Sequence, residues 1–252
     1  MIAAHRYAYA QARLQAALAA LPDESTWQRL AANRTLAAYL EEARTLPCGP
    51  WVRGFSGHNG PHELEPGLRV LYRDTVDAVA AWMPPSWREA VIWTRWWPCL
   101  PMIAHWMHRG EAPIWVQQDY LLRPLLNEQG RLTSAGLMRA GPAPLVTDEE
   151  EDLLAVWARI WRESWPRTSR DERVALETLT RLILRYGTAV PGGDRADSGA
   201  GRSRLRGRLH RFFHRSLLQP ASAFTFLAIV GLDLERLRGE LVTRALFAAE
   251  AV

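Results

Sequence analysis

The chain has 252 residues, 48% of them hydrophobic, which is enough apolar material for one large core or two small ones. Its formal net charge of +4 is small for that length and excludes a general nucleic-acid-coating role unless the charge is clustered. All 31 basic residues are Arg, and a chain with no Lys cannot supply the lysine that the usual nucleotide-hydrolysing phosphate loop requires.

From Ala3 to Leu21, Tyr7, Ala10, Leu14, Leu18 and Leu21 recur at three and four residues, which predicts a helix with one apolar face, ended by Pro22. The segment Asp23 to Thr26 offers caps for a second helix bearing Trp27, Leu30 and Ala31, and Thr35 caps a third bearing Leu36, Tyr39, Leu40 and Ala43. Gly, Pro, Asn and His between Leu46 and Pro66 predict a loop, after which Leu68, Leu71, Tyr72, Val76 and Val79 restart the helical period up to Pro84-Pro85. Helical segments follow over Trp87 to Trp97, over Met102 to Arg109 with Gly110 as the terminating cap, and over Ala112 to Leu126. A turn-rich passage from Asn127 to Thr147 leads to Asp148-Glu-Glu-Glu-Asp152, whose carboxylates suit the positive end of a helix dipole. Helices are then predicted over Leu153 to Trp165, Asp171 to Tyr186, Ser203 to Leu218 and Ala221 to Phe247, with a flexible Gly-rich loop over 187–201. No alternating Val/Ile/Thr run reads as a strand, so the expected class is all-α, with many short helices in approximate lobes 1–83, 84–186 and 202–252.

Active-site chemistry is hard to place on this sequence. Gly-x-Ser-x-Gly and His-Glu-x-x-His are absent, and Cys48 and Cys99 lie in neither a metal-binding spacing nor a nucleophile context, which favours free thiols and a reducing compartment. The pairs His105/His108 and His210/His214 have helical spacing but no third or fourth ligand nearby, so neither a metal nor a cofactor is expected. The reading is therefore of a chain that is not an enzyme. For dispersed catalysis the least poor candidates are His105, His108, Asp119 and Tyr120, beside the Trp-dense stretch.

That stretch, Trp82 to Trp115, includes Trp93, Trp96 and Trp97, and suits either core packing or an aromatic docking patch. Arg204, Arg208, Arg211 and Arg215, spaced four, three and four, line one stripe of a helix whose adjoining face carries Leu205, Leu209, Phe212 and Leu217. The stripe is either a solvated surface or a contact for carboxylates or anionic headgroups, acting with nearby Phe213. Nucleic acid ranks last, since no aromatic residues are interleaved on it. Arg6 and Arg13 interrupt the N-terminal Ala-rich stretch, so no secretory signal is read, and no run reaches the ~20 apolar residues of a membrane span.

Four segments carry a resemblance. Tyr7-Ala-Tyr9-Ala-Gln11-Ala-Arg13-Leu14 resembles the Tyr-Ala-Tyr-Ala-Asn-Ala-Arg-Val opening of the C/d family of V-type and archaeal-type ATPase subunits, the caps of the central stalk. Leu36, Tyr39, Leu40 and Thr45 resemble its next small helices, and Ile103 to Gly110, closing in Arg109-Gly110, is similar to its Leu-Arg-Gly segment. Near the end, Pro220, Phe224, Phe226, Asp233, Leu234, Leu237 and Arg238 resemble a helix of the form Pro, aromatics, Glu-Ile-x-Asn-Leu-Arg. Gln11 and Arg236 stand where the family has Asn, and the family's chains are longer, with three helical lobes around a funnel. The resemblance implies a scaffold role for Tyr7, Tyr9, Arg13, Arg109, Gly110, Asp233 and Arg238, with Tyr7, Arg13 and Arg238 buried. It further implies a non-catalytic adaptor between a membrane-embedded ring and a soluble stalk in a proton- or ion-transporting rotary ATPase. Such a protein would be cytoplasmic and peripheral at the inner face of the membrane. The alternative is a helical protein that binds an acidic partner or anionic membrane and has no part in ATP synthesis or hydrolysis.

Overall fold

A computed structural model describes residues 2–109, 112, 114–131, 133, 136, 153–188 and 195–249. Its helices are α1 (Ile2–Ala19), α2 (Glu24–Ala31), α3 (Leu36–Arg44), the single turn α4 (Gly49–Val52), α5 (Pro61–Trp82), α6 (Arg88–Trp93) and α7 (Leu100–Arg109). After these come α8 (Leu153–Glu163), α9 (Arg170–Thr188), α10 (Arg195–Arg215) and α11 (Pro220–Ala249). Short 3₁₀ turns fill Pro85–Trp87, Thr94–Cys99, Ile114–Gln118 and Arg123–Leu125. No strand occurs among the described residues, and the fold is all-α.

The early helices start where the sequence places caps. Asp23 Oδ1 accepts the Thr26 N–H at 2.7 Å and Thr35 Oγ1 accepts the Ala38 N–H at 3.2 Å, each satisfying an orphan donor of a first turn. The expected loop Leu46 to Pro66 is shorter than its composition suggests. Pro61 occupies the first turn of α5, where its missing N–H costs nothing, and Glu63 accepts the Gly60 N–H at 3.0 Å, so the helix starts there and carries Pro66 inside it. Two further expectations are revised. Ala112 to Leu126 holds 3₁₀ turns instead of a helix, and the described residues of the segment 187–201, which are 187–188 and 195–201, are helical, since α9 runs to Thr188 and α10 begins at Arg195. The acidic run Asp148 to Asp152 and the Gly110 cap lie outside the described residues.

The core is organised around α11. Every residue from Pro220 to Val230 is buried, so this first third of the helix is enclosed on all sides instead of showing one apolar stripe. It packs against α1, α3, α5, α9 and α10. Buried side chains from Tyr7 to Ala245 form one continuous cluster, so the lobes read from the sequence share a core among the described residues. No described helix is long and apolar enough to cross a membrane.

Candidate functional site

Several buried polar side chains in this fold are paired with one another. Arg73 on α5 and Asp119 are both buried, and Arg73 Nη1 donates to the two carboxylate oxygens at 2.9 and 2.8 Å. Asp119 Oδ1 also accepts the N–H groups of Leu121 and Leu122, at 2.9 and 3.2 Å, because the chain turns tightly around it. One turn earlier on α5, Arg69 stacks over Trp115 at 4.4 Å and pairs with Glu65, which Arg238 of α11 reaches from the other side. Burial works against the Glu65 charge, but the hydrogen bonds and positive charge of Arg238 and Arg69 outweigh it and hold its carboxyl below the usual range.

A second network joins the two ends of the chain. Trp87 Nε1 donates to the Tyr7 hydroxyl at 2.8 Å, and that hydroxyl donates to Glu172 at 3.1 Å, where Arg6 also arrives. Burial, reinforced by the Glu172 charge, pushes the Tyr7 phenol up to about 12, so it stays a donor at any ordinary pH. Trp87 packs edge-on against Phe224 of α11 at 5.9 Å. Gln11 accepts the Leu218 N–H at 2.9 Å. Asp233, buried in α11, receives Arg206 at 2.6 and 3.0 Å, and the same guanidinium donates to the Pro22 carbonyl where α1 gives way to α2. Burial raises the Asp233 carboxyl above its ordinary value despite that pairing.

The residues read as scaffold therefore divide. Tyr7 and Asp233 are buried and bonded, whereas Tyr9 is 63% exposed. Arg13 and Arg238 are exposed as well, contrary to the expectation of burial: Arg13 lies over the Trp82 ring at 5.1 Å and Arg238 pairs with Glu65. Their long stems can cover apolar surface while the charged heads stay wet. The Arg109 side chain and Gly110 lie outside the described residues.

The tryptophans pack on the core. Trp96 is buried, Trp93 and Trp97 are half-buried, and Trp93 Nε1 donates to the Trp157 carbonyl at 3.2 Å. Trp97 stacks on Trp157 at 6.2 Å, Trp157 on Trp161 at 5.6 Å, and Trp161 meets Trp165 and Phe224 edge-on at 5.1 and 4.8 Å. Trp157, Trp161 and Trp165 recur every four residues around α8. That spacing is itself a signal of a shared helical face, overshadowed in the sequence by the denser stretch upstream.

Among the candidate catalytic residues, His105 and Tyr120 are exposed, Tyr120 stacks with Arg73 at 4.6 Å, and Asp119 is occupied as described. The His108 side chain lies outside the described residues. A cavity of about 550 Å³ is lined by Ala112, Gln117, Asn127, Gln129, Gly130 and Arg131, none of them a candidate. No cluster of three or more metal-ligating side chains occurs among the described residues.

The Arg row faces outward. Arg204, Arg208, Arg211 and Arg215 are all exposed on α10, within an arc of about 60° at 3.6 residues per turn, and none forms a salt bridge among the described residues. Small residues flank the row: a Cβ added at Gly199 or Gly201 would meet nothing within 4 Å. The opposite face buries Leu205, Leu209 and Phe213. Phe213 is thus core and not part of the outer contact, while Leu217, expected on the core face, is exposed. His210, expected on the basic face, is half-buried, and burial together with Arg206 and His214 lowers its imidazole to about 4, leaving it neutral. Arg206, not singled out by the sequence reading, lies on the same side as Leu209 and Phe213, and that position is what signals an inward-facing arginine.

Comparison with protein-family models, curated proteins and solved structures gives no match.

Proposed function

We propose that this chain is a non-catalytic adaptor, of the kind represented by the C/d cap that joins the soluble stalk to the membrane ring of a rotary ATPase. One observation carries the reading: the motif residues at the two ends of the chain frame one another. Tyr7 bonds Trp87, which packs on Phe224; Gln11 holds the backbone just before Pro220; and Asp233, through Arg206, closes onto the end of α1. Residues used in this way are scaffold, which is the role the resemblance assigns them. In such an assembly the chain would sit peripherally at the inner face of the membrane, and transport of protons or other ions would belong to the whole complex. Affinity purification from the native cell in mild detergent, followed by mass spectrometry, tests this. Recovery with ring and stalk proteins is expected, and recovery of the chain alone overturns the reading.

The exposed Arg row favours a second reading, attachment to an acidic partner or anionic surface independent of any ATPase. Replacing the four arginines with Gln should then abolish a salt-sensitive association.

A further inference from the structure

The Arg row runs directly into the turn between α10 and α11, and that turn is unusual. Ser216 to Gln219 closes on itself through the Gln219 N–H and the Ser216 carbonyl at 3.2 Å, so Leu217 and Leu218 occupy its two corners. Leu218 has φ 59°, the left-handed region, and no other non-glycine residue with positive φ occurs among the described residues. Gly or Asn is ordinary at the third position of a turn with positive φ there, because a Cβ crowds the neighbouring carbonyl. Here the position holds a large apolar side chain, and that side chain is not buried in return: Leu217 is 39% and Leu218 40% exposed. The conformation is held from outside the turn, since Gln11, itself buried, accepts the Leu218 N–H at 2.9 Å. Ser216 is buried at the base, its Oγ donating to the Phe212 carbonyl at 2.9 Å. A left-handed backbone at a residue whose apolar side chain stays 40% exposed points to a use for the presented side chains.

The chemistry beside this tip names the occupant. From Arg204 to Arg215 the guanidinium row spans about 16 Å at 1.5 Å per residue, with no carboxylate paired to it among the described residues, and the two leucines follow within three residues of Arg215. A cationic row continuous with a fixed apolar tip is complementary to an anionic bilayer. Guanidinium groups meet phosphates at the headgroup level, and the leucines pass into the acyl boundary. An acidic protein surface would satisfy the arginines but give two exposed leucines no reason to stand in a strained turn. We infer that the Leu217-Leu218 turn is a membrane-inserting tip that, together with Arg204, Arg208, Arg211 and Arg215, docks this chain on an anionic lipid surface. The inference rests on the second reading above and specifies its partner.

Flotation of the full chain with phosphatidylcholine vesicles, with or without phosphatidylglycerol, tests it. Wild type should float only with the anionic vesicles and be released by high salt. Changing the four arginines to Gln should weaken partitioning by roughly 10²- to 10³-fold, given the contribution of each basic group near an anionic surface. Leu218→Gly is the decisive variant, because glycine relieves the positive φ: it should keep or raise the thermal midpoint while reducing partitioning by roughly tenfold. Leu217→Ser, which leaves the left-handed residue in place, should weaken binding similarly. If both leucine variants float like wild type while the arginine variant does not, the inserting tip is overturned and the surface-binding reading stands. If wild type ignores anionic vesicles, both fall, and the adaptor reading is untouched.

Discussion

Asp119, a residue the sequence offered as a catalyst, is buried and bound into the fold. Asp119 accepts from Arg73 Nη1 through both carboxylate oxygens and from two backbone N–H groups through Oδ1, so its carboxylate is engaged in holding the fold. With the pair's side chains 2% and 0% exposed, its attraction is largely offset by the cost of drying both charges, so the intact pair contributes little net stability. Removing one partner is a different matter, since it strands the other charge in the core. Asp119→Ala should lower the unfolding free energy in urea by about 3–5 kcal/mol. The double variant Arg73→Met with Asp119→Leu should recover most of that loss; a double variant that merely adds the two single losses would show the pair to be uncoupled.

At the scale of elements, α10 presents two basic faces with opposite uses. Arg206 turns inward to lock Asp233 and the end of α1, while the four-residue row turns outward. His210 lies between these faces, with Nε2 buried and without a hydrogen-bond partner among the described residues, and its folded-state value of about 4 lies below the ordinary 6.5. The unfolded chain therefore takes up a proton that the folded helix refuses. Stability from this group is complete above pH 6.5 and is lost as the pH falls toward about 4. Glu172, held below its usual range, acts in the same direction at lower pH as its hydrogen bonds with Ser169, Arg6 and Tyr7 are lost. His210→Leu removes only the histidine contribution. Its thermal midpoint should change less than that of wild type between pH 6.5 and pH 5, with no loss at neutral pH; an unchanged acid slope would show that the carboxylates alone set it.

For the molecule as a whole, the stretch Pro220 to Val230 of α11 is enclosed on every side, so the other elements have little to pack on without it. Arg236 clasps Glu24 at 2.9 and 3.1 Å and stacks over Trp27, while Arg244 reaches the Asn33 carbonyl at 2.8 Å, tying α11 to the N-terminal turns. Cross-links of this kind join residues more than two hundred positions apart and predict one cooperative unit. Far-UV circular dichroism and tryptophan fluorescence should report coincident thermal transitions. A chain ended after Leu218 should show no cooperative transition at all; independent melting of an N-terminal portion would contradict a shared core.

Spacing alone determined much of the fold. Apolar residues at three and four positions, together with Asp23 and Thr35 as caps, place helices by local geometry, and local geometry needs no partner. The loop at 46–66 and the described residues at the two ends of the Gly-rich stretch 187–201 depart from expectation because composition marks where a helix is costly, whereas tertiary packing can offset that cost. The direction each charge faces was settled only in three dimensions. The four arginines of α10 could be aligned on one stripe from their numbers, but that the stripe is open to solvent, that Arg206 points the other way and that the tryptophans lie inside depend on what packs opposite them. The left-handed turn at Leu218 left no trace in the sequence, since it is held by Gln11 from the far end of the chain.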